Sequence, residues 1–535
     1  MVGALAVALL GCTTMDRQRR AGTHISRPPK QLLHCEAKNP RRAQALAAIQ
    51  AYAKQAQSLT ADGSDEDMVP VADSLLLLAR CLNDFGRSEE AIQVGQEQLA
   101  AARRLARLSP GYEAGLALSL RAQSLRLEAV DRRQEALTTI EEAVRVGRRA
   151  AAGGSTETGD ELARALVIFS VDLAWAKRHE EAANAQVEAV QHLATLAKAN
   201  PKEYGAVLAM SLSMLATRMD AAGRMDQSLK AARGAVELYR HLALEDPEEH
   251  EPMLASALED LAIALSMQDK DAEALDPAAE AAMRYDRLAE AKPEEFEPMM
   301  VVSLSNLSVI QRALGEAGAL ESARQAVAIG RRLARAKPDA NEPDLAKALN
   351  NYALALDVVA GKPADALAAL EEAVAIDRRL ARQAPEHSEA LATALHNLSN
   401  QLATLDRPQE ALKASEEAVA IRRRIGSRTW VSDSRLAMTL RMHAVRLATA
   451  GRKQEALGAA QRSVDVYRLL AAARPQLFRS ELSTTLEIAS KLMGQLGMQK
   501  EAAAAREEAN SFSHRAEAIG PNQVTRRSSS GLIEL

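Results

Sequence analysis

Residues 343–385 read PDLAKALNNYALALDVVAGKPADALAALEEAVAIDRRLARQAP, and this stretch decides the fold. Leu345, Leu349, Tyr352, Leu356 and Val359 recur four, seven, eleven and fourteen residues along, one face of a 3.6-residue period. Pro343 suits a first helical turn, where no N–H is needed, and Gly361 suits the left-handed residue that stops a helix. Pro363 opens a second helix, whose Ala366, Leu367, Leu370, Ala373, Val374, Leu380 and Ala381 make another apolar stripe. Arg378 and Arg379 fall near its C-terminal end, where cations suit the helix dipole, and Pro385 closes the unit. Residues 389–425 repeat the plan at once. One such pair cannot bury both stripes alone, so neighbouring pairs must cover it.

Outward from this unit, a small residue recurs just inside each second helix. It falls at Ala91, Ala136, Ala182, Ser228, Ala274, Ala319, Ala366, Ala411, Ala456 and Ala502, at intervals of 45 to 47 residues. Seven residues later comes a second small residue, from Ala143 to Ala509, and only Gln98 in the first unit breaks the pattern. Two turns apart on one face, these positions let helix backbones approach closely. Pro201, Pro247, Pro293, Pro338 and Pro385 are expected to end second helices, and Pro252, Pro298 and Pro343 to open first helices. Gly86, Gly223, Gly315, Gly361, Gly451 and Gly497 mark turns within units. Gly153-Gly154-Ser155-Thr156 and Ser427-Arg428-Thr429-Trp430 replace two boundaries and are expected to disturb the stacking there.

The pattern predicts an all-α chain, an α-solenoid of about nine to ten helix-turn-helix units. Residues 1–40 read as irregular, 41–69 as a leading helix and polar linker, 70–511 as the array, and 512–535 as a disordered tail. Hydrophobic residues are 47% of the chain but aromatics only 3%, a composition of small helix formers. Lys and Arg number 67 against 71 Asp and Glu, a net charge of −4 that excludes a nucleic-acid binder of the basic-stripe kind. Cys12, Cys35 and Cys81 show no metal-ligand spacing and no disulfide framework, which points to a reducing, cytoplasmic setting. No stretch reaches the roughly 18 apolar residues of a membrane span. Leu9-Leu10-Gly11-Cys12 resembles a bacterial lipoprotein cleavage box. Its apolar segment is short, no Lys or Arg precedes it, and Arg17, Arg19 and Arg20 follow it. These features argue against a lipid anchor at Cys12, which stands as the alternative to the cytoplasm.

Asn397-Leu398-Ser399, Leu402, Glu410-Ala411-Leu412 and Glu416-Glu417-Ala418-Val419 resemble the tetratricopeptide repeat. Leu261-Ala262, Leu265, Glu273-Ala274-Leu275 and Ala281 show the same signature. The likeness covers about residues 70–511 and is greatest to the long-helix, kinesin-light-chain-like variety. The usual repeat is roughly 34 residues; these units are 45 to 47, with most large aromatics replaced by Leu, Ala or Met. The resemblance implies a right-handed superhelix whose first helices line a concave, peptide-binding face.

Projected onto this chain, that face carries Ser305, Asn306, Lys347, Asn350, Asn351, Asp357, His396, Asn397 and Asn400. Asparagine is a middling helix former, so helix stability does not explain the cluster. Its amide both donates and accepts, which suits an extended peptide backbone. The alternative is that these amides cap turns or bind each other between units. No phosphate-binding glycine loop, HExxH or GxSxG motif occurs, so no enzyme, metal or cofactor chemistry is expected. The leading expectation is a protein-interaction scaffold. A sensor module for a separate ATPase or protease switch is the alternative, and an all-helical enzyme ranks behind both. The expected partner is a protein or peptide.

Overall fold

The computed structural model describes residues 68–426 and 429–517, with isolated helical positions at 47, 50, 51 and 54. Among the described residues there are twenty α-helices and no strands. The chain divides into two units, which are taken separately, at Leu238 and Tyr239.

Unit 1 holds α1 (Met68–Asp84), α2 (Ser88–Leu108), α3 (Glu113–Ala129), α4 (Arg133–Ala151), α5 (Thr156–Trp175), α6 (His179–Ala199) and α7 (Pro201–Ala221). It also takes most of α8 (Met225–Glu245). Unit 2 continues with α9 (Pro247–Ser266), α10 (Asp271–Ala291), α11 (Pro293–Ala313), α12 (Gly318–Ala336) and α13 (Pro338–Val358). It is completed by α14 (Pro363–Gln383), α15 (Ser388–Thr404), α16 (Pro408–Ile425), α17 (Trp430–Thr449), α18 (Lys453–Ala473), α19 (Pro475–Gln495) and α20 (Gln499–Glu517). Odd-numbered helices are the first, and even-numbered the second, of each hairpin.

The small-residue seam is where the second helices are most deeply covered. Ala136, Ala143, Ala182 and Ala189 in unit 1, and Ala366, Ala373, Ala411 and Ala418 in unit 2, have no exposed surface. Larger side chains such as Leu120, Ile140, Leu162 and Leu166 fill the core between them in unit 1. Gln98, the one departure, is buried, and its amide donates to Ser119 Oγ on α3 at 2.5 Å. Serines close three hairpins: Ser308, Ser399 and Ser490 donate to the carbonyls of Ala319, Ala411 and Ala502.

Gly361 takes φ +60° as expected, and Gly86, Gly223, Gly315, Gly451 and Gly497 are also left-handed. The hairpins without a glycine use Asp131, Lys177, Asp269 and Asp406 in the same conformation. Asp and Asn reach this region through short polar side chains; Lys177 has no such help.

The prolines correct the expected helix boundaries. Pro247, Pro293 and Pro338 are the first residues of first helices, and only one residue separates each from the preceding second helix. Pro252, Pro298 and Pro343 therefore lie inside helices rather than at their starts. Each is the sixth residue of its helix and gives up the hydrogen bond that an N–H there would make to the carbonyl four residues back.

Where Gly153-Gly154 replaces a proline boundary, Gly154 takes φ +75° and Ser155 stays extended before α5. At the other irregular boundary, residues 427 and 428 lie outside the described residues. Thr429 and Ser432 form a reciprocal capping box, and the Trp430 ring meets Phe478 edge-on at 5.9 Å.

Arginines tie successive second helices together. Arg103 pairs with Glu142 and Arg148 with Glu188 in unit 1; Arg331 pairs with Glu372 and Arg378 with Glu417 in unit 2. The arginine after each often reaches back to its own hairpin, as Arg149 to Glu113, Arg332 to Glu297 and Arg379 to Glu342.

Cys81 is buried on α1. Cys12, the tail beyond Glu517 and most of the expected leading helix lie outside the described residues; of that helix, residues 47, 50, 51 and 54 are described and helical. Among the described residues no helix is long and apolar enough to cross a membrane, and no three metal-ligating side chains come together.

Candidate functional site

The repeat length decides what each polar side chain of a first helix meets. Asn306 on α11, Asn351 on α13 and Asn397 on α15 stand 45 and 46 residues apart, the same place in three successive first helices of unit 2. One repeat back from each lies the neighbouring first helix, and there they find partners. Asn306 Nδ2 donates to Glu259 Oε1 at 2.6 Å, and Asn397 Nδ2 donates to Asn350 Oδ1 at 3.0 Å. Asn351 is buried in the same place, and its Nδ2 has no acceptor.

Asn350 and Asn397 are buried, whereas Lys347, Asp357 and Asn400 are half-buried at the edge of the same row. Ser305 turns back on its own helix, donating to the Val301 carbonyl at 2.7 Å. Gln401 on α15 donates to Asp357 Oδ1 and to the Pro363 carbonyl, both at 3.1 Å.

His396 is enclosed between α15, α16 and α17. Its Nε2 meets Asn400 Nδ2 at 3.3 Å and its Nδ1 lies 3.5 Å from Thr439 Oγ1. Burial pushes its pKa down to about 3, and Arg422, Arg441 and Arg446 push the same way, so the ring is neutral. Arg446 Nη2 donates to Asn400 Oδ1 at 3.0 Å, which fixes that amide with its carbonyl towards α17. Arg422 is buried against Thr393, Thr439 and the Arg435 carbonyl, with Glu389 3.2 Å away as its counter-charge. At the other end of the row, burial raises Glu259 to about 7. The Asn306 hydrogen bond opposes that shift, and Asp260 adds to it.

Of the nine candidates, Asn306 lies on α11, Lys347, Asn350, Asn351 and Asp357 on α13, and His396, Asn397 and Asn400 on α15; hydrogen bonds join Asn350 to Asn397 and His396 to Asn400, while Ser305 bonds its own helix. The structure adds Glu259, Gln401, Arg422, Thr439 and Arg446, which the sequence reading passed over. A signal for two of these was present: counting one repeat length from Asn306 and Asn400 lands on Glu259 and Arg446, at intervals of 47 and 46 residues, as it does from Asn397 to Asn350. The amides and the neutral imidazole offer hydrogen bonds in both directions.

A tetratricopeptide repeat family model matches residues 391–425, which is most of α15 together with α16. Among solved structures, BtubC from P. vanneervenii is 21% identical, with 49% of this chain and 97% of that chain covered, at TM-score 0.38. A Podospora anserina chain described as a kinesin light chain with nearly identical TPR-like repeats is 20% identical. There the shares are 41% and 98%, at TM-score 0.32. A STAND protein with a tetratricopeptide repeat sensor, from Pyrococcus horikoshii, is 12% identical over 78% of this chain and 55% of that one, at TM-score 0.42. The search of curated proteins finds no match. Residues 391–425 are a tetratricopeptide repeat by sequence, and the hairpins around them share its plan of two helices joined by a left-handed turn.

Proposed function

We propose that the first-helix edge of unit 2 binds an extended peptide or a segment of a partner protein. Asn306, Lys347, Asn350, Asn351, His396, Asn397 and Asn400 are its recognition residues, and the chain acts as a scaffold rather than an enzyme. The observation that carries this reading is Asn351. Its neighbours in the row, Asn306 and Asn397, both donate to the preceding first helix, while its own Nδ2 has nothing to donate to. An unmet amide donor in a row otherwise satisfied favours a partner that supplies a carbonyl. Lys347 and Asn400, half-buried at the edge, are placed to meet such a partner first. The neutral His396 adds no charge that would repel it.

A displayed random-peptide library selected on the purified chain supplies the probe, with affinities read by fluorescence anisotropy. Lys347→Ala and Asn400→Ala together remove two or more hydrogen bonds at about 0.5–1.5 kcal/mol each, so the selected peptides should bind about ten- to a hundredfold more weakly. Asn200→Ala, in unit 1 where Asn200 bonds Glu203, should leave binding unchanged. Peptides that bind the double variant as tightly as the wild type would place the partner on another surface.

A further inference from the structure

In unit 1 one contact between first helices joins two acids instead of two amides. Glu128, at the end of α3, and Asp172, near the end of α5, interact with each other across the junction between two hairpins. Asp172 is 5% exposed. Glu128 Oε1 and Asp172 Oδ2 are both buried, and neither receives a hydrogen from any donor. Two buried carboxylates cannot satisfy one another, because both only accept. A proton between them supplies the missing donor, and then one hydrogen bond joins α3 to α5.

The surrounding charges leave this pair to itself. Arg133, at the start of α4, acts on both acids in the favourable direction, yet its guanidinium is engaged by Asp131 at 2.7 Å and stacks 4.0 Å over the exposed Trp175 ring. On α6, Glu180 is held by Arg224 and Glu181 by Arg178. On α7, Asp220 is pushed up by burial, and Arg218 is a half-buried cation whose pKa burial lowers. On α3 itself, Arg121 is bound to Glu161 and Arg126 donates to Gln123.

We propose that the Glu128–Asp172 pair is a proton-operated joint: its shared proton holds the hairpin α3/α4 against α5/α6, and its loss lets that junction open while the α13–α15 junction of unit 2 stays closed. Burial, then the neighbouring Glu128, raises Asp172 to about 8, and burial raises Glu128 as well. An acid whose folded pKa is raised binds more protons folded than unfolded. The junction is therefore most stable below the unfolded value near 3.8 and weakens as pH rises, levelling off above about 8. This inference does not depend on the peptide-binding proposal.

Hydrogen exchange of the full chain between pH 6.5 and 8, expressed as protection factors, tests it. Protection of α3 and α5 should fall by up to about tenfold per pH unit in the wild type. In Asp172→Asn, whose amide donates to Glu128 at every pH, it should stay level. The internal control is the junction of α13 and α15, where Gln401 already donates to Asp357 and no fall is expected. Glu128→Gln is the second variant, removing the other acid, and should also level the profile if Asp172→Asn does not fold. A wild-type profile that is flat in α3 and α5, or that falls equally in the variants, overturns the joint.

Discussion

Asp172 in unit 1 and Gln401 in unit 2 occupy one structural position and behave oppositely. Each stands five residues before the left-handed residue of its turn, Lys177 or Asp406, and each meets a carboxylate 44 residues earlier, Glu128 or Asp357. In unit 2 the amide donates and the contact is satisfied whatever the pH. In unit 1 two acids meet, and the contact needs a proton. The hairpins, turns and seams around them follow one plan, so a single side chain per unit sets how the junction responds to its surroundings.

The same contrast runs through the buried arginines, and removing their counter-charges should have the largest effect. Arg121 in unit 1 depends on one carboxylate, Glu161, which receives both its Nε and Nη2 hydrogens at 2.6 and 3.0 Å. Arg422 in unit 2 has Glu389 and also two threonines and a carbonyl. Breaking a buried pair costs about 3–5 kcal/mol. Glu161→Ala should approach that range in denaturant melts, and Glu389→Ala should fall clearly short of it. Equal losses would mean that the threonines contribute nothing.

Next in size, Ala143→Leu and Ala373→Leu enlarge corresponding seam positions of the two units, each without exposed surface. Each should cost about 1–3 kcal/mol through overpacking. Here no difference between units is expected, and a tolerant Ala373→Leu would show that unit 2 is packed more loosely than unit 1.

This seam was legible in the sequence because a close backbone approach excludes all but the smallest side chains, and exclusion leaves a periodic trace. The turn glycines were legible for the same reason, apart from the four turns where Asp or Lys takes the left-handed conformation. Helix ends were not. At three boundaries two prolines stand five residues apart, and either could open the helix, so the pattern fits two registers. The amide row was found as a composition anomaly in three units. Its partners were missed because a hydrogen bond between residues 47 apart leaves no local signal, and because Glu259 and Arg446 do not look like asparagines.

A smaller effect separates the amides themselves. Asn397→Ala removes the hydrogen bond that the buried Asn350 carbonyl oxygen accepts and should lower stability by about 0.5–1.5 kcal/mol, measured by thermal or denaturant melts. Asn400→Ala exposes its partners to water at a half-buried edge and should cost less. The reverse order would place Asn400, not Asn397, at the junction. Smallest of all, Arg148→Ala in unit 1 and Arg331→Ala in unit 2 remove half-exposed pairs between second helices, and each should cost below about 1 kcal/mol.

The most direct measurement moves the pH response from one unit to the other. Gln401→Asp sets a second carboxyl against Asp357, as Asp172 stands against Glu128, in the chain that also carries Asp172→Gln. Between pH 6.5 and 8 His396 stays neutral, whereas Glu259 on α9, raised to about 7, titrates, so the comparison is confined to α13 and α15 in unit 2. The account predicts that α3 and α5 lose their pH dependence and that α13 and α15 acquire one, weakening as pH rises. If α3 and α5 still loosen with rising pH, or α13 and α15 stay level, the position does not govern the response and the account is contradicted.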